Sequence, residues 1–199
     1  MVRPRQIQDE DLLEVARDCF IAHGPGVSTT TIAEAAGVSQ ATLFKRFGTK
    51  QALMREALRP RAPGPLMQRL VDGPADTPLP AQLEDIASEM IRMFDGLLPC
   101  VMTLWAAGEH PGTLLSDHEV APPVLARRLL TAFFSTAQAQ GRMAGGEPEA
   151  LAMVFIGSVK ELAFQRHMFP EAAPSLTNDA YASQFVQAFW AGCAPPEAP

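Results

Sequence analysis

The sequence predicts an all-α protein, with a three-helix N-terminal domain followed by a larger C-terminal helical bundle. Apolar residues recur at intervals of three and four, which places them on one face of a helix, and the alternation typical of strands is nearly absent. Glycine and proline clusters end these segments at short intervals up to residue 60 and at longer intervals beyond residue 80. Because 47% of the 199 residues are hydrophobic and 19% are charged, the chain can bury a core.

Four short helices are predicted in the first sixty residues. The apolar side chains between Ile7 and His23 share one helical face, and Gly24-Pro25-Gly26 ends that helix. Gly37 stands where the second helix needs a residue in a left-handed conformation, and Ser39 is suited to cap the third. Gly48 and Thr49 repeat this arrangement before the fourth helix. The predicted helices cover 7–23, 29–36, 39–47 and 50–59.

The prolines predict a division of the chain into two domains. Six of them lie between residues 60 and 80, around one short apolar turn at 66–71. We therefore expect an N-terminal domain at 1–59, a junction at 60–80 and a C-terminal domain at 81–199. The C-terminal domain has five predicted helices, with Pro99 near the start of the second and a polar loop at 109–121. These helices cover 81–95, 97–108, 123–140, 147–169 and 178–191.

The charge of the chain is unevenly distributed. The formal net charge is −6, which at first argues against a nucleic-acid partner. Residues 1–60, however, carry eight Lys/Arg against seven Asp/Glu, whereas residues 61–199 carry eight against fifteen. Because the acidity belongs to the C-terminal part, the net charge does not exclude DNA binding by the N-terminal part.

The segment from Thr29 to Lys50 predicts two short helices joined by a tight turn. Apolar residues of both helices point to a shared core, and small alanines allow the helices to approach closely. The second helix then presents a polar face near its N-terminal end, as does a helix that enters the DNA major groove. The core side chains are Ile32, Ala36, Val38, Leu43 and Phe47, and the outward-facing ones are Gln40, Ala41, Thr42, Phe44, Lys45 and Arg46.

The second of these helices carries the candidate base contacts. Gln40 can hydrogen-bond base edges, and Ala41 and the methyl group of Thr42 can contact a thymine methyl. The Thr42 hydroxyl can reach a base or a phosphate. The basic residues Arg3 and Arg5 could add contacts from an N-terminal arm or could be solvated charges.

Phosphate contacts have separate candidates. Thr29 and Thr30 offer hydroxyls at the start of the first short helix, beside its free backbone N–H groups. Lys50 adds a positive charge at the start of the next helix. Lys45 and Arg46 are either further DNA contacts or solvated charges.

Twenty-five consecutive residues, from Thr29 to Leu53, resemble the DNA-binding signature of the TetR family: TTTIAEAAGVSQATLFKRFGTKQAL. Upstream, Leu13, Ala16 and Phe20 fit that family's first helix, so the resemblance covers residues 12–53. The family most often has a tyrosine at the position of Phe44, whose hydroxyl would bond a phosphate. Phenylalanine keeps the packing and loses one hydrogen bond, a loss of about 1 kcal/mol.

The resemblance implies that the last two long helices, 147–169 and 178–191, pair with their copies in a four-helix homodimer interface. Their sequences support this, because each is apolar on two sides and so needs two partners. In the first of them, one side has Leu151, Val154, Phe155, Ser158, Leu162 and Gln165, and the other has Met153, Ile156, Phe164 and Met168. In the second, one side has Tyr181, Phe185, Ala188 and Phe189, and the other has Val186 and Trp190.

Methionine and aromatic residues of the C-terminal domain could line an effector pocket between helices. Flexible methionines suit varied apolar ligands, although the same stripe is also typical of an ordinary core. The candidates are Met90, Met93, Phe94, Met102, Trp105, Phe133 and Phe134. Lys160 and Glu161 are charges in an otherwise apolar helix, and are either polar groups of such a pocket or a pair at the dimer edge.

Neither a metal site, a cofactor nor an enzyme is predicted. Glu109, His110 and Asp117-His118-Glu119 gather potential ligands in a loop, but without the histidine spacing of a helical site. No nucleophile elbow, P-loop or dinucleotide glycine pattern is present. The three cysteines are widely spaced and are expected to be reduced thiols. We expect no secretory signal, no membrane span and a cytoplasmic protein.

These observations favour a sequence-specific DNA-binding transcriptional regulator. Its operator would be double-stranded and pseudo-palindromic, and a small apolar effector would release a repressor from it. The alternative is a helical small-molecule binding protein that has lost operator binding. Phe44 and the overall acidity favour this alternative.

Overall fold

The structure is a computed structural model that describes residues 7–59, 64–110 and 122–195. These residues form nine α-helices and no strand, which confirms the predicted all-α class. The helices are α1 (Asp9–His23), α2 (Thr29–Ala35), α3 (Gln40–Phe47), α4 (Lys50–Ala57), α5 (Pro65–Asp72), α6 (Leu79–Ala106), α7 (Pro122–Ala139), α8 (Pro148–Met168) and α9 (Asn178–Ala191). They divide into two compact units, the first built from 7–59 and 99–110 and the second from 64–98 and 122–195.

Three of the first four helices begin where hydroxyl side chains cap them. Ser28 accepts a hydrogen bond from the backbone N–H of Thr31 at 3.0 Å, so α2 begins directly after it. Ser39 caps α3 in the same way, and Thr49 caps α4 through the N–H of Ala52 at 3.0 Å. Each such cap satisfies one backbone donor that a helix start leaves free.

A helix, α5, occupies the junction where the sequence predicted only a short apolar turn. Pro65 is its first residue, a position where the fixed φ of proline favours a helix. Leu66, Met67 and Leu70 lie on one face and are buried in the core of the second unit. The spacing of these three residues is the local signal for a helix, and the prolines around them are typical of a turn.

The prediction of two helices at 81–95 and 97–108 was wrong, because α6 is a single helix that continues through Pro99. Pro99 has no N–H to donate to the carbonyl of Asp95, a defect that costs about 3 kcal/mol in a helix interior. The imidazole of His167 supplies a replacement, with its Nε2 atom 3.1 Å from that carbonyl oxygen. Phe94 and Cys100 are also buried on either side of the proline. Tertiary contacts therefore override the local preference for a break.

The core of the first unit is formed by α1 to α4 and the last turns of α6. It includes Cys100 and Leu104, which are 1% and 0% exposed. The sequence assigned this part of α6 to the C-terminal domain, whereas the structure packs it with the N-terminal helices. The buried side chains from α1 to α4 include Leu12, Ala16, Phe20, Ile32, Leu43, Leu53, Met54 and Ala57.

The core of the second unit contains a cluster of phenylalanines from α7, α8 and α9. The ring of Phe134 lies 5.9 Å from that of Phe155 and 5.8 Å from that of Phe189, measured between centroids. The rings of Phe155 and Phe189 lie 5.4 Å apart. Aromatic pairs of this kind stabilise a core beyond their buried area.

The three cysteines, all among the described residues, are buried thiols outside any disulfide, as predicted. Burial raises the pKa of the Cys193 thiol, and burial together with the charge of Asp18 raises the pKa of the Cys19 thiol. Because only the thiolate is a strong nucleophile and metal ligand, neither of these two groups is activated.

A polar cluster in the second unit joins α6, α8 and α9. The guanidinium of Arg166 donates to Asn178 Oδ1 at 2.5 Å and to the carbonyl of Leu176 at 2.6 Å. It also lies 3.3 Å from a carboxylate oxygen of Asp95. These groups are partly buried, so water competes less for their hydrogen bonds than it does for those of surface pairs.

Arg166→Met is expected to destabilise the second unit by about 1–3 kcal/mol, because it removes the guanidinium donor from Asp95, Asn178 and the Leu176 carbonyl. Methionine keeps much of the apolar stem, so packing changes little. Urea unfolding followed by circular dichroism measures the difference. Arg128→Met, at an exposed position of α7, is the control and should change the free energy of unfolding by under about 0.5 kcal/mol. Equal effects of the two substitutions would contradict this role of Arg166.

Candidate DNA-binding site

A tight turn joins α2 and α3. Gly37 has a φ of 65°, in the left-handed region that glycine adopts without strain. The N–H of Val38 bonds the carbonyl of Ala33 at 3.0 Å, and that of Gly37 bonds the carbonyl of Glu34 at 3.1 Å. These bonds satisfy carbonyls at the end of α2 and turn the chain toward Ser39, the cap of α3.

The predicted shared core of α2 and α3 is confirmed. Ile32 and Leu43 are 0% and 2% exposed within the first unit. Ala36, Val38 and Phe47 are partly buried and pack against the same cluster. This packing fixes which face of α3 remains on the surface.

The predicted DNA contacts of α3 lie on that surface. Gln40, Ala41 and Lys45 are exposed, and Phe44 is 42% exposed, unusually high for its size. Among the flanking candidates, Thr30 is exposed, and Thr29, Thr42 and Lys50 are partly exposed.

Arg46 differs from the other candidates, because it has partners within the domain. Its Nη1 atom lies 2.8 Å from a carboxylate oxygen of Asp9 and donates to the carbonyl of Ile7 at 2.9 Å. The side chain is 22% exposed. Arg46 therefore ties α3 to the start of α1, a role that sequence reasoning missed because its partners are 37 and 39 residues away. Arg3 and Arg5 lie outside the described residues.

Hydroxyl groups organise the start of α3. The Ser39 and Thr42 hydroxyls lie 2.8 Å apart, and Ser39 Oγ accepts from the Thr42 N–H at 3.2 Å. The side-chain amide of Gln40 donates from Nε2 to the Thr29 hydroxyl at 2.5 Å, which links α3 to α2. Sequence reasoning did not predict this link, and no local pattern signals it.

Residues 12–57 match the model of the family described as bacterial regulatory proteins, tetR family. This range contains the two helices, the turn and the exposed face described above. The N-terminal domain belongs to the TetR family. The chain thus has the DNA-binding domain of a transcriptional regulator, with a helix-turn-helix unit formed by α2 and α3.

Solved structures resemble this chain over its length. PfmR, a TetR family transcriptional regulator from Thermus thermophilus, has a TM-score of 0.65 at 19% identity, covering 91% of this chain and 97% of its own. A TetR family transcriptional regulator from Pseudomonas syringae pv. tomato has a TM-score of 0.61 at 19% identity, covering 96% and 100%. NalD, the secondary repressor of the MexAB-OprM multidrug efflux pump in Pseudomonas aeruginosa, has a TM-score of 0.60 at 18% identity, covering 93% of this chain and 96% of its own. These likenesses concern the fold. No curated protein sequence matches.

Of the potential metal ligands between residues 109 and 119, Glu109 has a partner of another kind in the structure. The guanidinium of Arg55 donates to Glu109 at 2.8 Å and 3.1 Å, and this hydrogen bond, with the attraction of the two charges, raises the pKa of Arg55. Glu109 is therefore an ion-pair partner. Within 7–59, 64–110 and 122–195, no group of three or more His, Cys, Asp or Glu side chains could hold a metal ion. Asp117, His118 and Glu119 lie outside the described residues.

The predicted effector-pocket residues do not all lie together. Met90, Phe94, Phe133 and Phe134 are buried in the core of the second unit, and Met93 packs against it. Met102 and Trp105 belong instead to the part of α6 in the first unit. Trp105 is 69% exposed, so it does not line an enclosed pocket there. Helical spacing could not distinguish these positions, because it does not show which unit covers each face.

The regulator's α8 has one buried face and one exposed apolar face. The buried face includes Phe155 and Leu162, whereas Val154 is 56% exposed. The sequence had placed all three on one side, but consecutive residues of a helix lie about 100° apart, so Val154 points away from Phe155. The exposed stripe consists of Met153, Val154, Phe164 and Met168, with the partly exposed Gly157 between them. Lys160 and Glu161 lie on the same face of the helix.

Beside this stripe, the accessible face of α9 carries small and polar side chains. These are Ser183, Gln184, Gln187 and Ala188. The Tyr181 hydroxyl donates to the carbonyl of Ser158 at 3.0 Å and fixes α9 on α8. Burial, together with the charge of Glu161, raises the pKa of Tyr181. Lys160 and Glu161 are exposed on α8. This exposure favours the outer surface over a core pocket for the two charges.

No helix among the described residues is both long enough and apolar enough to span a lipid bilayer.

Proposed function

We propose that this protein is a homodimeric repressor that binds a pseudo-palindromic operator through α3 and is released by a small apolar effector. The observation that carries the proposal is the exposed polar face of α3, held on the surface by the buried Leu43 and by the Ser39 cap. A surface helix fixed in this way, with base-reading side chains at its start, suits insertion into the major groove. Because a bacterial operator lies in the cytoplasm, we expect a protein that binds one to be cytoplasmic.

The side chains divide into base contacts and backbone contacts. We assign Gln40, Ala41 and Thr42 to base edges, since they occupy the first turn of α3. The hydroxyls of Thr29 and Thr30, the ammonium groups of Lys45 and Lys50, and the ring of Phe44 are assigned to the sugar-phosphate backbone. Arg46, already paired with Asp9, is assigned to positioning α3.

The second copy of the chain would pack on the exposed stripe of α8 and the accessible face of α9. The α8 face is mostly apolar and is interrupted by the exposed charges of Lys160 and Glu161. Exposed apolar side chains grouped in this way are typical of a protein interface. The large side chains of the α8 stripe would pack against the small Ser183 and Ala188 of α9, which suits a four-helix interface. Two copies would present two α3 helices to half-sites about 34 Å apart.

The effector would bind among the apolar side chains of the second unit. Met90 is buried in the same core as the phenylalanines and Met93 packs against that core, and flexible methionine side chains can repack around a ligand. A ligand that favours a dimer with a different α3 spacing would release the operator by population shift. NalD, which has a similar fold, is described as a repressor.

Lys50→Ala and Gln40→Ala are expected to weaken DNA binding in different ways. The lysine contacts a phosphate, so its loss should lower affinity for every sequence alike and reduce the salt slope by about one. Loss of Gln40 should remove about 1–3 kcal/mol of discrimination at one base position. Fluorescence anisotropy with the DNA upstream of the gene, its single-base variants and a shuffled duplex measures both effects. The division of roles fails if both substitutions weaken every duplex by the same factor.

The alternative function, a helical small-molecule binding protein without an operator, is favoured by the exposed ring of Phe44. It predicts that an apolar ligand raises the thermal midpoint of unfolding, while no duplex is bound selectively. The repressor proposal predicts both ligand stabilisation and selective, salt-sensitive DNA binding. The anisotropy titration with the upstream and shuffled duplexes therefore separates the two functions.

Phe44→Tyr is expected to strengthen operator binding about fivefold, because the added hydroxyl can donate to a phosphate, a gain of about 1 kcal/mol. The side chain is 42% exposed, so the hydroxyl can be accommodated without repacking. Phe169→Tyr, at a 51% exposed position after α8, is the control and should leave DNA affinity unchanged. An unchanged or lower affinity of Phe44→Tyr would exclude a phosphate contact at this position.

A further inference from the structure

Thr29 and Gln40 are the first residues of two different helices, and their side chains are hydrogen-bonded. The Gln40 Nε2 atom lies 2.5 Å from the Thr29 hydroxyl oxygen, across eleven residues of sequence. Gln40 is exposed, and Thr29 is partly exposed. A glutamine at the protein surface ordinarily samples many rotamers. This one is held by a neighbouring helix at the position from which α3 would meet DNA.

We propose that Thr29 is a positioning residue that makes Gln40 selective for adenine. This inference rests on the proposed function, in which Gln40 contacts a base edge. It extends that function by naming the base and by assigning the selectivity to a residue that does not contact the base.

The donors and acceptors of the amide support this assignment. A glutamine amide has two N–H donors and one carbonyl acceptor. With one N–H bound to Thr29, one N–H and the carbonyl remain. Adenine presents an acceptor, N7, beside a donor, the N6 amino group, in the major groove, and this pair matches the two remaining groups. Guanine presents two acceptors there, N7 and O6, so the remaining carbonyl would face an acceptor.

The Thr29 hydroxyl can also hold the amide in this orientation on DNA. A hydroxyl both donates and accepts, so in principle it could bond either end of the amide. A phosphate oxygen only accepts. When Thr29 donates its proton to a phosphate, its oxygen can only accept from Gln40, and the amide cannot flip. A backbone contact thereby fixes the direction of base recognition.

Preorganisation predicts how large the effect should be. Ordering a long polar side chain at an interface opposes binding, and a side chain that is already ordered avoids most of that loss. We therefore expect removal of the hydroxyl to reduce the preference for adenine over guanine about fivefold. It should also weaken binding to all sequences, because one phosphate contact is lost.

The experiment uses the full-length protein and a duplex library randomised over about 20 base pairs, from which the wild-type protein selects its site. Binding to the selected duplex and to its single-base variants is then measured for wild type, Gln40→Ala, Thr29→Val, Thr29→Ser and the double variant. Valine keeps the β-branched shape without the hydroxyl, whereas serine keeps the hydroxyl. Circular dichroism compares folding, and the side-chain amide signals of Gln40 in NMR spectra report its ordering without DNA.

The expected result has four parts. Gln40→Ala abolishes the preference for adenine at one position in each half-site. Thr29→Val reduces that preference about fivefold and shifts the Gln40 amide signals, and Thr29→Ser retains it. In the Gln40→Ala background, Thr29→Val changes no base preference and only weakens binding uniformly.

Two results overturn the inference. The first is that Gln40→Ala reduces the preference for adenine while Thr29→Val lowers the affinity for every duplex by the same factor. In that case Thr29 is only a phosphate contact, and the proposed function still stands. If Gln40→Ala changes no base preference, Gln40 is not a reader and Thr29 cannot position one. A library from which the wild-type protein selects no sequence would instead contradict the proposed function itself.

Discussion

Val154→Asp is expected to convert the protein from a dimer to a monomer and to weaken operator binding at least about a hundredfold. In the proposed dimer the Val154 side chain is covered by the second copy, so the substitution buries a carboxylate in an apolar interface. An unpaired buried charge of this kind costs several kcal/mol. In the separate chain Val154 is 56% exposed, so the fold of each copy should be preserved.

Light scattering after gel filtration measures this change directly. The wild type should have twice the 21.5 kDa mass of the chain, and Val154→Asp should have the mass of one chain. Val71→Asp is a matched control, because it places the same charge at a 61% exposed valine on α5, away from the proposed interface. If the two variants have the same mass and the same DNA affinity, the interface is not on α8.

Leu43→Ala is expected to destabilise the first unit by about 2–5 kcal/mol and thereby to abolish operator binding at physiological temperature. Leu43 is 2% exposed and is the one fully buried residue of α3 among the described residues, so it supplies the main apolar contact of the helix with the domain core. Its replacement leaves a cavity that a helix of eight residues cannot close without moving.

Thermal unfolding measured by calorimetry and DNA binding measured by anisotropy test this prediction together. Leu13→Ala removes the same atoms from a partly buried position of α1 and should cost less than half as much. DNA binding should be retained in that control at temperatures below its unfolding transition. Retention of full affinity by Leu43→Ala would show that the position of α3 does not depend on this contact.

The helix-turn-helix unit could be predicted from sequence because local interactions specify it. Ser39 and the glycine at 37 act within a few residues, and the burial of Leu43 follows from its spacing on α3. The two resulting helices were found within one residue of the predicted ranges. Caps, turns and amphipathic spacing agree here, and such agreement is what makes a short segment predictable.

The errors arose where distant residues decide the outcome. A proline ordinarily ends a helix, but α6 continues through Pro99 because His167, 72 residues from Asp95 along the chain, meets the free carbonyl of Asp95. Arg46 could be placed on the outer face of α3, but its ion pair with Asp9 could not be read from spacing. Periodicity likewise placed Trp105 among pocket residues, although it is exposed.

Hydroxyl-radical footprinting of the upstream DNA tests the central claim, that two α3 helices of a dimer read an operator, most directly. The proposal predicts two protected patches on one face of the duplex, with centres about one helical turn, roughly 10 base pairs, apart, and sequences related by two-fold symmetry. Val154→Asp should lose both patches at the same protein concentration. Uniform cleavage along the DNA, or a single patch that Val154→Asp leaves intact, would contradict a dimeric operator reader.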